Sequence, residues 1–161
     1  MASANHHHIT KILNKIVKSY SCLRTIKKIN ILDITHKSID YDPDYVIKRI
    51  LSENTYYFVI FEVIEGQSDT KTMADIARIL AKPEIKKAIF ICSKNKVAET
   101  KRIADALIGA YKDRFEKRNK KQVINISIRE LLPTDKEVEL ENIILEELKP
   151  FLPKNSTSYS S

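Results

Sequence analysis

Glycine is almost missing from this chain: its 161 residues include only Gly66 and Gly109. A dinucleotide fingerprint (G-x-G-x-x-G), a Walker loop (G-x-x-x-x-G-K) and a nucleophile elbow (G-x-S-x-G) all need glycine spacings that this pair does not supply, so those devices are excluded. Cysteine is equally sparse. Cys22 and Cys92 are too few for an all-cysteine zinc site or a disulfide framework, and reduced thiols are expected. The longest apolar run is interrupted by Glu62 and is too short to span a bilayer, and the N-terminus has no apolar leader segment. A cytoplasmic protein with no membrane partner is expected.

Charge, by contrast, is plentiful. Lys and Arg number 28 and Asp and Glu 21, for a net +7, which bears on solubility and polyanion binding rather than on fold. The excess is uneven. Residues 134–149 hold six acids against Lys136 and Lys149, net −4, so the remainder carries +11. Residues 9–28 contribute +6 with no acid, and residues 111–122 contribute +4.

Apolar periodicity divides the chain into alternating elements. Helical spacing of Ile9, Ile12, Leu13, Ile16, Val17, Tyr20 and Leu23 predicts a helix over 9–23. Residues 29–34 read as a short strand. Residues 56–64, YYFVIFEVI, read as a central strand covered on both faces. Ser68 or Asp69 caps a helix with Met73, Ile76, Ile79 and Leu80 inward, and Pro83 ends it. A second buried strand follows at 87–92. A long helix then turns Val97, Ile103, Leu107, Tyr111 and Phe115 inward, and 123–128 is a half-exposed strand. Thr134 and Glu137 make a capping box before a last helix that buries Val138, Leu140, Ile143, Ile144 and Leu148. One α/β domain over 9–152 is expected. Residues 1–8, with adjacent His6, His7 and His8, read as a leader or tag remnant, and 153–161 as a disordered tail.

Residues 42–51 have two readings. Asp42 capping Pro43, with Val46, Ile47, Ile50 and Leu51 as a stripe, makes a helix and a parallel, doubly wound, Rossmann-like sheet. Its ligand site would lie at the strand ends near Asp33, Glu65 and Ser93. As a strand, the segment puts Asp44, Val46, Lys48 and Ile50 on one face and turns at 52–55 into the following strand.

Glu62 is the charge anomaly, an acid inside an apolar strand. A buried carboxylate is costly unless it is paired or bound to a metal. The structural reading is a buried lysine partner, or water at the strand end. The functional reading is a metal site, because phosphodiester cleavage needs an activated water and relief of charge on the phosphate, and Mg²⁺ supplies both through hard oxygen ligands.

Pro43-Asp44, followed after 17 residues by Glu62-Val63-Ile64-Glu65, resembles the restriction-endonuclease-like, PD-(D/E)XK, nucleases. The resemblance covers about residues 9–93. It implies a core of helix, three strands, helix and strand, with Asp44 and Glu62 as ligands of Mg²⁺ or Mn²⁺. The expected fold is therefore an α/β three-layer sandwich with a mixed central sheet of about four to five strands flanked by helices. Ile64 stands where the family has lysine. Candidates to replace that lysine are Glu65 and Gln67 just after the strand, Lys48 on the Asp44 face, and Lys71 in the next helix's first turn. The implied function is metal-dependent hydrolysis of DNA, often by homodimers. The alternative is a non-catalytic α/β module, a decayed nuclease that binds nucleic acid or protein. Phosphate contacts would fall to Lys11, Lys15 and Lys18 and to Arg114, Lys117, Arg118, Lys120 and Lys121, with the acidic last helix turned away.

Overall fold

Residues 45–52, open to two readings in sequence, form a strand. The computed structural model describes residues 3–32, 37–117 and 125–153. Its elements run α1 (Ala4–Lys18), β1 (Leu23–Ile26), β2 (Ile29–Leu32), β3 (Ser38–Tyr41), β4 (Tyr45–Ser52), β5 (Thr55–Ile64), α2 (Asp69–Ala81), β6 (Ile85–Cys92), α3 (Val97–Lys117), β7 (Asn125–Glu130) and α4 (Glu137–Leu148). Strand β4 pairs antiparallel with β5, from Tyr45 opposite Phe61 to Ser52 opposite Thr55. The parallel alternative is thereby overturned. Only Glu53 and Asn54 separate the two strands, enough for a hairpin turn and far too few for a crossover.

The sheet has five strands in the order β1-β4-β5-β6-β7. Strand β1 is antiparallel to β4, while β5, β6 and β7 are mutually parallel neighbours. Helices α1 and α4 cover one face, over Tyr45, Ile47, Val59, Phe61, Ile89 and Ile91. Helices α2 and α3 and the separate β2–β3 hairpin cover the other, over Val46, Phe58, Ile60, Ile64, Ala88 and Phe90. This is a three-layer sandwich. Alternation along β5 sends Phe61 to one layer and Ile60 to the other, both fully buried. Each such side chain contributes roughly 1.5–3 kcal/mol. No helix among the described residues is long and apolar enough to cross a membrane.

Several expectations need correction. Helix α1 starts at Ala4, where the Ser3 hydroxyl caps it by accepting the His6 N–H at 3.0 Å, so residues 4–8 belong to the folded domain. It stops at Lys18, where Ser19 donates to the Lys15 carbonyl at 3.0 Å, and Leu23 opens β1 instead. Residues 29–32 pair with β3, not with the main sheet. Met73 is 46% exposed and Val138 72%. The inward stripe of α2 is Thr72, Asp75, Ile76, Ile79 and Leu80. Before α4 the chain makes a 3-10 turn at Thr134–Lys136 with no side-chain cap, so the expected capping box does not form. The disordered tail expected at 153–161 lies, beyond Pro153, outside the described residues, as does Asp33.

Candidate active site

The hairpin brings Asp44 and Glu62 together. Tyr45 opposes Phe61, so the next pair outward, Asp44 and Glu62, shares one face where β4 begins and β5 approaches its end. Two hydrogen bonds lock them: the Asp44 N–H donates to Glu62 Oε1 at 2.8 Å, and the Val63 N–H donates to Asp44 Oδ2 at 2.7 Å. The Asp44 side chain is 36% exposed. Glu62 is 4% exposed, pointing into the layer beneath α2.

Glu62 has no lysine partner among the described residues. The buried lysine of the sheet, Lys87, pairs instead with Glu147 of α4 at 3.2 Å, on the other face. What meets Glu62 is a second acid. Asp75, itself 4% exposed, projects from the inner stripe of α2 and shares a side-chain hydrogen bond with Glu62. Burial, and then the negative charges of Asp44 and Asp75, push the Glu62 carboxyl well above the usual carboxylate range. Burial raises Asp75 as well, against the pull of Lys71 and Arg78. With both acids ionised, Asp75 Oδ2 would have no hydrogen-bond partner. A proton shared with Glu62 meets that need. Tyr41, also buried, feels the same acids, and its phenol is raised by burial and by Glu62, Asp75 and Asp44.

Above this acid group lies an open cleft of about 430 Å³, lined by Asp44, Val63, Glu65, Gly66, Gln67 and Lys71, with Ser3 and His6 of α1 closing one side. Glu65 needs no bulge to reach it, because β5 ends at Ile64. Its Oε1 accepts the Ser3 hydroxyl. His6 Nε2 stands 3.5 Å from Asp44 Oδ1. Gln67 Nε2 donates to Thr72 Oγ1 at 2.8 Å, and the Lys71 N–H is capped by Ser68 at 3.2 Å, which holds both at the positive end of α2. Gly66 makes no close approach within the chain; a Cβ there would meet nothing within 4 Å. Ile64 is buried in the α2 and α3 layer.

Of the six candidate residues, Lys48 alone is remote. It lies four positions along β4, about 13 Å from Asp44, with its ammonium 4.2 Å from the Tyr56 ring centroid. Asp75, Ser3, His6 and Tyr41 were missed in sequence. Asp75 carried a signal, since an acid one position before Ile76 interrupts the inner stripe of α2 as Glu62 interrupts β5.

Lys11, Lys15 and Lys18 are exposed on α1. The C-terminal end of α3 lies on the opposite face, at the end of the sheet away from the cleft, because α3 runs back beside β6 to reach the parallel β7. Arg118, Lys120 and Lys121 lie outside the described residues, as do the side chains of Arg114 and Lys117. Nor is the acidic helix turned away: α4 packs on the same face as α1, and Lys15 meets Glu141 at 3.5 Å.

The donor chemistry fits a hard divalent cation. Asp44 and Glu62 offer carboxylate oxygens, and the negative charges of Asp44 and Asp75 raise the proton affinity of Glu62, so an added positive charge is favoured there. Among the described residues no three His, Cys, Asp or Glu side chains are grouped to hold a metal ion. An ion on these two carboxylates would complete its shell with water, as Mg²⁺ commonly does. Comparisons with protein-family models, curated proteins and solved structures found no match to the chain.

Proposed function

We propose that the cleft is the active site of a metal-dependent nuclease that hydrolyses DNA phosphodiester bonds, similar to the restriction-endonuclease-like enzymes. The observation that carries this reading is the Asp44–Glu62 pair, joined across the first antiparallel step beyond Tyr45 and Phe61, in which Asp44 lines a cleft that also holds Lys71 and Glu62 lies buried behind it. The element order supports it. Helix α1, strands β1, β4 and β5 with the β2–β3 hairpin inserted, helix α2 and strand β6 follow the order that the resemblance implies.

Asp44 and Glu62 would hold Mg²⁺ or Mn²⁺, which when bound supplies an activated water and neutralises charge on the phosphate. Lys71 lines the cleft from the first turn of α2 and serves in place of the lysine absent at position 64, stabilising negative charge that develops on the phosphate. Gln67 and Glu65 orient water and substrate at the rim. The test is incubation of the pure protein with plasmid and branched DNA in Mg²⁺ or Mn²⁺. Cleavage is expected to fall at least 100-fold in Asp44→Ala and in Lys71→Ala. Cleavage unchanged in Asp44→Ala would refute the assignment.

One observation favours a second reading, a decayed and non-catalytic module. Ile64 is 1% exposed and packed in the core, so the strand itself presents no cation to the cleft. This reading expects DNA binding without turnover in either metal.

A further inference from the structure

Helix α1 begins at the cleft, where Ser3 and His6 line it, and runs away from it along the sheet. Its outer side forms a second concavity of about 450 Å³, lined by His7, Thr10, Lys11, Asn14, Lys15 and Lys18. Consecutive residues of α1, His6 and His7, line the two hollows. Lys11, Lys15 and Lys18 follow the helical repeat, so their side chains lie along one face and span about 10 Å of axis. Among the described residues neither Lys11 nor Lys18 enters an ion pair, and Lys15 makes one exposed contact with Glu141.

The lining of this groove narrows the ligand. It offers ammonium groups, a hydroxyl, an amide and an imidazole, and it holds no Phe, Tyr or Trp. Single-strand tracks rely on aromatic platforms on which unpaired bases stack. A row of lysines with no stacking surface suits a phosphate backbone whose bases are already stacked on one another. No Arg or Gln fork is present, and the one amide, Asn14, already accepts the Tyr45 hydroxyl through Oδ1 at 2.7 Å, so the contact positions the ligand without selecting sequence.

We propose that the α1 groove is a sequence-indifferent track for one strand of a DNA duplex, leading the backbone into the Asp44–Glu62 cleft. This rests on the nuclease reading for its destination, but the track is testable without it. It also assigns the basic end of α3, on the other face, to no part of the same contact.

The experiment is fluorescence anisotropy with a labelled duplex and with its single strand, in EDTA so that nothing is cut, from roughly 50 to 200 mM salt. The variants are Lys11→Gln/Lys15→Gln/Lys18→Gln and, as a control on exposed positions of α3, Lys101→Gln/Arg102→Gln. The α1 variant is expected to lower duplex affinity on the order of 100-fold near 0.1 M salt and to make the slope of log K against log salt shallower by about 2 to 3. The α3 control is expected to change neither, and the single strand to bind more weakly than the duplex. An α1 variant that binds like the parent, a single strand that binds more tightly, or an absence of salt-dependent binding overturns the proposal. Cleavage with α1-independent binding removes the track and leaves the nuclease, whereas α1-dependent duplex binding without cleavage does the reverse.

Discussion

Replacing Glu62 by glutamine isolates the energetics of the buried acid from any chemistry of turnover. Glutamine keeps a carbonyl that accepts the Asp44 N–H and presents an amide toward Asp75, so it copies the protonated Glu62. In the unfolded chain this carboxyl titrates at its ordinary value of 4.5, while in the folded chain burial and the two neighbouring acids raise it well above that. The sign follows directly. Between the unfolded and folded values the native state holds a proton that the unfolded chain has released, so stability falls as pH rises, by at most about 1.4 kcal/mol per pH unit. At pH 7.5, three pH units above the ordinary value of 4.5, the cost reaches at most about 4 kcal/mol, and near pH 4.5 it vanishes. Glutamine carries none of it. Glu62→Gln is therefore expected to be more stable than the parent at pH 7.5, by up to about 4 kcal/mol, or a Tm gain of up to roughly 8–16 °C for a chain of this size. The gain should shrink steadily toward pH 4.5. The glutamine amide still donates toward Asp75, so the hydrogen bond that Asp75 accepts from position 62 is kept in both proteins. Urea melts followed by far-ultraviolet circular dichroism in EDTA, at a series of pH values, read the quantity. A variant less stable than the parent at pH 7.5, or a difference that does not vary with pH, refutes the reasoning.

Two further outcomes follow from other buried groups. Glu147→Ala strands the Lys87 ammonium, 9% exposed, without its partner at 3.2 Å. It is expected to cost about 3–5 kcal/mol in urea melts. Lys87→Met should cost clearly less, because Glu147 keeps Arg129 at 3.3 Å; equal losses would show that the pair is not the stabilising unit. Cys92 is fully buried and its thiol is pushed up to about 11 by burial, whereas Cys22 is half-buried. A thiol reagent near pH 8 should modify Cys22 first and reach Cys92 only on unfolding, and equal native rates would contradict the packing.

The layers were legible because they depend on patterns that local sequence carries. YYFVIFEVI and KAIFIC are apolar on both faces, and both became interior strands. Pro83 restricts Lys82 to extended backbone, φ −106° and ψ 106°, and α2 ends just before it. The misreadings arose where two periods overlapped. Tyr20 and Leu23 continue the helical spacing of α1 and are buried, yet they are buried by a turn and by β1, so burial alone did not reveal their conformation. In α2 the stripe is polar at its N-terminal end, and Met73 looked like the better core residue than Thr72 or Asp75. Apolarity misled there because the inner face of that turn covers Glu62, and an acid is better matched by groups that share hydrogen bonds than by a thioether.

Which residues form the site depends on strand direction, which composition does not encode. Asp44 and Glu62 are 18 apart in sequence, and only an antiparallel β4 makes them bonded neighbours. Had residues 45–52 been helical, Asp44 would have sat on a helix packed over the sheet. Glu62 would then have faced its layer without the Asp44 N–H that now satisfies Oε1. Strand β5 is where the sheet changes from antiparallel pairing with β4 to parallel pairing with β6. At its C-terminal end β4 enters, α2 starts with its positive pole, and Ser93 after β6 donates to the Glu65 carbonyl at 3.1 Å. Helix α1 starts there too, through Ser3 and His6. A mixed sheet thus gathers at one end acids that a parallel sheet would scatter. The same topology carries the end of α3 to the opposite end of the sheet, so the net charge of +7 does not belong to one binding face. Helix α1 both starts at the acids and leads away from them with Lys11, Lys15 and Lys18 exposed.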